Sequence, residues 1–177
     1  MRYVSVFPII LVLSILFGVS FTGLVITPEI ASDVVRSPSI GLVDYSPSEA
    51  RGRNIYAREG CVYCHSQQIR NVKADENLSA GFGISKAGDY FYDVPHFLGT
   101  SRQGPDLANE GRIWRAEIGQ AARDYLIGHF INPRLYNPNS IMPAFDYLTQ
   151  QELSDLTDYI QSLGAWKDNI QAAEIKS

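Results

Sequence analysis

The sequence predicts an all-α protein in which a single N-terminal transmembrane helix precedes one small helical domain. An apolar run without a charged residue opens the chain, from Val4 to Ile26. Two capping-box motifs begin helices near either end of the remaining chain, and no alternation of strand and helix patterns lies between them. With 177 residues, the chain has room for an anchor and one domain of ordinary size.

The apolar run Val4–Ile26 is long enough to span a bilayer. At about 1.5 Å per residue its length is roughly 34 Å, against a hydrocarbon core of about 30 Å. The alternative is a cleaved signal peptide, but the run is longer than an ordinary signal h-region and no A-x-A-like cleavage site follows it. We therefore expect a retained anchor that contacts the lipid bilayer.

The charges around this run predict its orientation. Arg2 precedes the run, whereas Glu29 and Asp33 follow it. The positive-inside rule then places the N-terminus in the cytoplasm and the chain after Thr27 outside. We expect an anchor over residues 1–27, a linker over 28–45 and a soluble domain over 46–177.

Charge and cysteine usage exclude some classes of function. The formal net charge is −4 and no basic run occurs, so we expect no nucleic-acid partner, because phosphate binding needs clustered Lys and Arg. The chain has two cysteines, Cys61 and Cys64, and they are close neighbours. A structural disulfide framework would spread its cysteines along the chain, so this spacing favours redox or cofactor chemistry.

Cys61, Cys64 and His65 form a C-x-x-C-H motif. This order supplies two thiols for the vinyl groups of haem and an imidazole for its iron. A thioredoxin-like C-x-x-C is the alternative, but it belongs in a βαβ pattern, which is absent here. The motif therefore predicts one covalent haem c. Because such haem is attached outside the cytoplasm, it agrees with the predicted orientation.

The helices that flank the motif fit a class I-like cytochrome c domain. Residues 46–49 (SPSE) form a capping box with proline at the first helical position, and the helix they open extends to about Glu59, before Gly60. Residues 149–152 (TQQE) begin a second helix that ends at Gly164. A further helix is predicted over about 119–131. We expect the first and last of these helices to cross, with haem packed against them.

An electron-carrying iron needs a sixth ligand, for which Met142, His96 and His129 are the candidates. Met142 lies in a turn-forming segment (residues 139–145, NSIMPAF) just before the last helix, which is the position that a distal ligand requires. We favour Met142, since Met/His ligation gives a higher reduction potential than bis-His ligation. Each histidine is more typical of a hydrogen-bonded structural residue.

Three further residues are candidates for the haem environment. The carbonyl of Pro105, in the segment GPDL (104–107), could accept a hydrogen bond from the His65 ring. Arg70 and Arg134 could pair with haem propionates, because guanidinium binds carboxylate in a bidentate manner. From the residues alone, a surface turn and ordinary surface arginines are the alternatives.

Residues 60–70 (GCVYCHSQQIR) resemble the haem segment of the mono-haem subunit of cbb3-type cytochrome c oxidase, the FixO/CcoO family. The similarity continues in the same order at residues 88–96, 99–107, 129–134 and 140–145. The resemblance implies Met142 as axial ligand, and it strengthens the assignments of Pro105 and Arg70.

The resemblance also implies a function. The chain would be a non-catalytic electron-transfer subunit in a bacterial inner membrane, with its haem domain on the periplasmic side. Its partners would be a large haem–copper catalytic subunit that reduces oxygen and either a second cytochrome c subunit or a soluble cytochrome donor. Residues 112–123 follow the family pattern less closely, which keeps the cytochrome c subunit of a nitric oxide reductase as an alternative. A stand-alone tethered electron shuttle and a gas-binding sensor are the others.

Overall fold

The computed structural model describes residues 6–30, 37–75, 81, 83–112 and 119–167. All regular secondary structure in these ranges is helical, and they contain no strand, so the all-α prediction is confirmed. Short 3₁₀ segments cover Cys61–Tyr63 and Ala87–Tyr90. The helices that position the site are labelled α1 (Phe7–Ile30), α2 (Pro47–Arg58), α3 (Gln120–Ile131), α4 (Pro133–Tyr136) and α5 (Gln150–Ser162).

Helix α1 is long and apolar enough to cross a membrane, with a mean hydropathy of 2.7. It contains one π-helical stretch, Thr22–Ile26, after which the Thr27 hydroxyl donates to the Thr22 carbonyl at 2.9 Å. The chain divides into two compact units, residues 1–37 and 38–177, and α1 belongs to the first. The finer boundaries at residues 27 and 45 stay predictions.

Helix α2 begins at the predicted capping box. The Glu49 backbone N–H donates to the Ser46 hydroxyl, while the Glu49 carboxylate accepts from the Ser46 N–H at 2.7 Å. Pro47 occupies the first turn, where its missing N–H costs no hydrogen bond. The helix ends before Gly60, whose φ of +73° is left-handed and favours glycine. This bend turns the chain directly into the C-x-x-C-H motif.

Helix α5 also begins at its predicted capping box, formed by Thr149 and Glu152. Its apolar face is buried, with Tyr159 fully excluded from solvent. Gly164, with φ of +74°, follows the end of the helix. Both boundaries agree with the sequence prediction.

Helices α2 and α5 cross in close contact, as predicted. A Cβ at Gly52 would lie 2.0 Å from the Asp155 carbonyl oxygen, so the two backbones meet where only glycine fits. The rings of Tyr56 and Tyr159 pack edge to face with centroids 5.4 Å apart. Arg51 forms a bidentate ion pair with the buried Asp155 carboxylate. This crossing fixes one wall of the cleft described next.

Candidate haem site

A cleft of about 470 Å³ opens beside the α2–α5 crossing and α3. Its walls are mainly apolar and include Leu126, Phe130, Leu156 and Ile160. Its lining also includes Cys61, Cys64, His65, Pro105, His129 and Met142. The fold thus brings the predicted attachment motif and the predicted sixth ligand to one cavity.

The two cysteines are presented by the 3₁₀ turn Cys61–Tyr63. The carbonyl of Cys61 accepts from the N–H groups of both Cys64 (3.1 Å) and His65 (2.9 Å), which fixes the turn. Both thiols are free, and that of Cys64 contacts the Gln103 side-chain oxygen at 3.6 Å. Burial raises the pKa of the Cys61 thiol to about 12. The cleft therefore holds two unpaired thiols at the spacing of the motif.

His65 is held by the loop that carries Gly104 and Pro105. Its Nδ1 lies 2.8 Å from the Pro105 carbonyl oxygen, which is the predicted contact. Because a carbonyl only accepts, Nδ1 carries the proton and Nε2 retains a free lone pair for a metal. A Cβ at Gly104 would lie 2.2 Å from the Cε1 of His65, so the glycine leaves the space that the imidazole fills.

The three candidates for the sixth ligand fall into two groups. Met142 and His129 line the cleft, whereas His96 is not among the residues that line it. The Nδ1 of His96 instead contacts the Asp93 carbonyl. His129 stacks on Tyr125 with ring centroids 5.7 Å apart. Burial, with a smaller effect of His65, lowers the pKa of His129. Met142 stays the predicted ligand.

The two arginines predicted near the propionates have other partners in this structure. Arg70 pairs with both oxygens of Asp75 at 3.0 Å, and it does not line the cleft. Arg134 donates to the Ser140 carbonyl at 3.3 Å and thereby contacts the loop that carries Met142. Their propionate contacts stay predictions.

The side chains around the cleft fit a haem. The described ranges hold no cluster of three or more His, Cys, Asp or Glu that could bind a metal ion by itself. Haem iron needs at most two ligands from the protein, and the imidazole of His65 and the thioether of Met142 line the cleft and could supply them. The Nδ1 of His129 is buried without a hydrogen-bond partner among the described residues, as expected where a polar ligand group completes the site.

Sequence reasoning missed the residues that support His65 from behind. Asp106 and Arg102 join the loop of Pro105 to Ser66, the residue after His65. The GPDL segment drew attention to Pro105, but the acidic residue beside it gave no sign of a partner 40 positions away. The fit of Gly104 against the imidazole was also not predictable, since it depends on tertiary packing.

Comparison with protein families gives one match over nearly the whole chain. The family model described as "Cytochrome C oxidase, mono-heme subunit/FixO" matches residues 2–171. A comparison with curated proteins finds no match. The matched range includes α1, the C-x-x-C-H motif and the loop of Met142, so one family describes both the apolar helix and the cleft.

Proposed function

The chain belongs to the family of mono-haem cytochrome c oxidase subunits, and from this membership we propose that it is the membrane-anchored electron-transfer subunit of a cbb3-type haem–copper oxidase. The membership confirms the resemblance noted in the sequence and identifies an oxidase subunit that carries one haem. The cbb3 type and the transfer of electrons to a catalytic subunit are the proposal. The main support for this proposal is that two free thiols, His65 and Met142 all line the same cleft.

In this proposal Cys61 and Cys64 would hold haem c, each by addition of its thiol S–H across one vinyl group to form a thioether, and His65 and Met142 would bind its iron. Haem bound in this way supplies reversible one-electron chemistry at iron. The protein's part is to hold the imidazole, exclude water with apolar walls and keep the sixth position closed. The Pro105 carbonyl fixes the His65 tautomer and increases the basicity of the ligand.

Arg70 and Arg134 are proposed to reach the haem propionates. Arg134 is supported by its contact with the Met142 loop, through Ser140. For Arg70, the support is its place in the family-like segment 60–70, five residues after His65. Its guanidinium would then bind a propionate with the edge that Asp75 leaves free.

We propose that the chain lies in a bacterial inner membrane with the N-terminus in the cytoplasm and the haem domain in the periplasm. Arg2 before α1, and Glu29 and Asp33 after the apolar run, support this orientation. The proposed partners are the large haem–copper subunit and either a further cytochrome c subunit or a soluble cytochrome donor.

The test is oxygen reduction by the purified complex after Cys61→Ala and Cys64→Ala are combined. We expect loss of the haem c absorbance and loss of oxygen consumption from the physiological donor side. The haems of the catalytic subunit should be retained, which controls for assembly. Unchanged oxygen consumption in a complex that lacks this haem c would contradict the proposal. Turnover of the intact complex with nitric oxide but not with oxygen would instead identify a nitric oxide reductase.

A further inference from the structure

We propose that Asp106, with Ser66 and Arg102, is a positioning cluster that fixes the hydrogen bond between His65 and Pro105 and thereby sets the reduction potential of the haem iron. This inference rests on the proposed function, because it assigns these residues a role toward the axial ligand. None of the three lines the cleft.

Ser66 follows His65 and Asp106 follows Pro105, so the bond between their side chains lies one residue beyond the ligand bond on both segments. The Ser66 hydroxyl donates to the Asp106 carboxylate at 2.5 Å. Backbone bonds continue the same ladder on either side. The Gly104 N–H donates to the Cys64 carbonyl at 3.0 Å, and the Leu107 N–H donates to the Ser66 carbonyl at 2.8 Å.

Asp106 accepts hydrogen bonds from both segments of this ladder. Its side chain is 2% exposed and accepts from the Ser66 hydroxyl, the backbone N–H groups of Gln68 (3.0 Å) and Ala108 (2.9 Å), and the guanidinium of Arg102 (3.3 Å). A carboxylate that accepts several hydrogen bonds in a buried site holds its partners in one geometry, because any displacement leaves a buried charge unsatisfied. Both segments of the ladder are bound to this one group.

Arg102 closes the cluster from the other side. Its Nε donates to the Ser66 hydroxyl at 2.6 Å, and one terminal nitrogen donates to the Gln68 carbonyl at 2.5 Å. The same guanidinium pairs with both oxygens of Asp75, which is fully buried. Arg102 is thus held in place independently of Asp106, so the Ser66 hydroxyl lies between two fixed charged groups.

This arrangement affects the iron through His65. A short, well-directed bond from Nδ1–H to a carbonyl makes the imidazole a stronger donor, which favours the oxidised iron. If the cluster loosens, the Pro105 carbonyl moves away from Nδ1, the ligand weakens and the reduction potential rises. Solvent then also reaches the Nδ1 proton more often.

The test compares three variants of the full chain with haem c attached. Ser66→Ala removes hydroxyl bonds without a change of charge. Asp106→Asn removes the charge and replaces one acceptor oxygen with an amide NH2 group, with little change of shape. Asp155→Asn is the matched control, since it makes the same substitution at a buried carboxylate that pairs with Arg51 outside the cleft. The measurements are the reduction potential and, by NMR of the reduced protein, the exchange of the His65 Nδ1 proton with solvent.

We expect Ser66→Ala and Asp106→Asn to raise the potential and to accelerate the proton exchange, because the hydrogen bond from the His65 ring to Pro105 is weakened. Asp155→Asn should leave both unchanged while it lowers stability. Unchanged potential and exchange in Ser66→Ala and Asp106→Asn would overturn the inference. An effect of Asp106→Asn alone would also overturn it, because charge and not position would then act.

If Asp106→Asn fails to accumulate, Ser66→Ala decides the question by itself. Failure of the proposed function is distinguishable from failure of this inference. In the first case the wild-type chain carries no haem c bound by His65, whereas in the second it carries that haem and the variants do not alter it.

Discussion

The loop that carries His65 and the loop that carries Met142 line the same cleft, but they are fixed by different means. His65 is backed by Gly104, bonded to Pro105 and flanked by buried ion pairs around Asp75 and Asp106. The Met142 backbone N–H donates a hydrogen bond to the Ser140 hydroxyl at 3.2 Å, and the neighbouring Ile141 is 70% exposed. One side is a buried charged network and the other an exposed turn.

This difference suggests that the two loops have different roles. In the proposed assignment, the His65 side would set the ligand geometry, because its contacts are short, buried and charge-assisted. In the proposed assignment, Met142 would close the sixth position with a flexible thioether on a loop that has few hydrogen bonds. Substitutions around His65 should therefore alter haem attachment and reduction potential. Substitutions in the loop around Met142, other than at the methionine itself, should mainly alter ligand exchange.

The largest expected effect is that of Gly104→Ala. Its Cβ would lie 2.2 Å from the His65 Cε1, so the imidazole must leave its position and lose the Pro105 hydrogen bond. We expect most haem c to be lost or bound without His65, measured as haem content and the reduced absorption spectrum.

Gly52→Ala is the control for this prediction. Its Cβ would be as crowded, 2.0 Å from the Asp155 carbonyl oxygen, but at the α2–α5 crossing. It should lower stability while the haem that is attached keeps its normal spectrum. A normal spectrum and potential in Gly104→Ala would show that the His65 side tolerates displacement.

The second effect concerns the Met142 side. Met142→His should lower the reduction potential, since bis-His ligation gives lower potentials than Met/His ligation. The far-red charge-transfer band of sulfur-ligated ferric haem should disappear as well. His129→Leu is the control and should keep that band. Loss of the band in His129→Leu alone, or ready binding of carbon monoxide by the unmodified reduced chain, would exclude Met142 as ligand.

The third effect is acid sensitivity of the His65 side. Arg102 and then Arg70 hold the pKa of Asp75 well below its ordinary range. The unfolded carboxyl has a pKa of about 3.9, so the stabilisation is complete above that pH and is lost as the pH falls toward the folded value. Asp75→Asn should lower the free energy of unfolding at neutral pH and flatten its decline below about pH 4.

Denaturant unfolding at a series of pH values measures this effect. If the free energy of unfolding falls equally steeply in the wild type and in Asp75→Asn below about pH 4, Asp75 does not contribute to the loss of stability in acid.

The smallest effect is expected for Arg134→Gln. The Arg134 side chain is exposed and donates to the Ser140 carbonyl at 3.3 Å, so the stability change should stay within about 0.5 kcal/mol. Imidazole should bind the ferric haem slightly more tightly, because the Met142 loop is less restrained. A large decrease in the free energy of unfolding would mean that the Met142 loop is as strongly stabilised as the His65 side.

The sequence predicted best what is decided locally. Ser46 with Glu49, and Thr149 with Glu152, cap their own helices, and Gly60 turns the chain through its own φ. Their partners lie within a few residues, so spacing suffices. The contact of Pro105 with His65 was predicted although 40 residues separate them, because the GPDL segment is distinctive and its resemblance to a family strengthened it.

What the sequence did not reveal depends on distant side chains with no periodic pattern. Asp106 with Ser66, and Arg102 with Asp75, meet only after the two segments are packed together. Arg70 also shows that the partner of a side chain could not be predicted from the sequence. It was predicted as a propionate partner, and the structure places its guanidinium on Asp75, a residue that drew no attention in the sequence.

The most direct test follows the redox state of haem c during oxygen turnover. The intact complex is reduced, mixed rapidly with oxygen, and observed at the haem c absorption band. Our account predicts that haem c is oxidised at least as fast as the steady-state turnover, and that this phase is absent after Cys61→Ala and Cys64→Ala. Haem c that stays reduced while oxygen is consumed would contradict it.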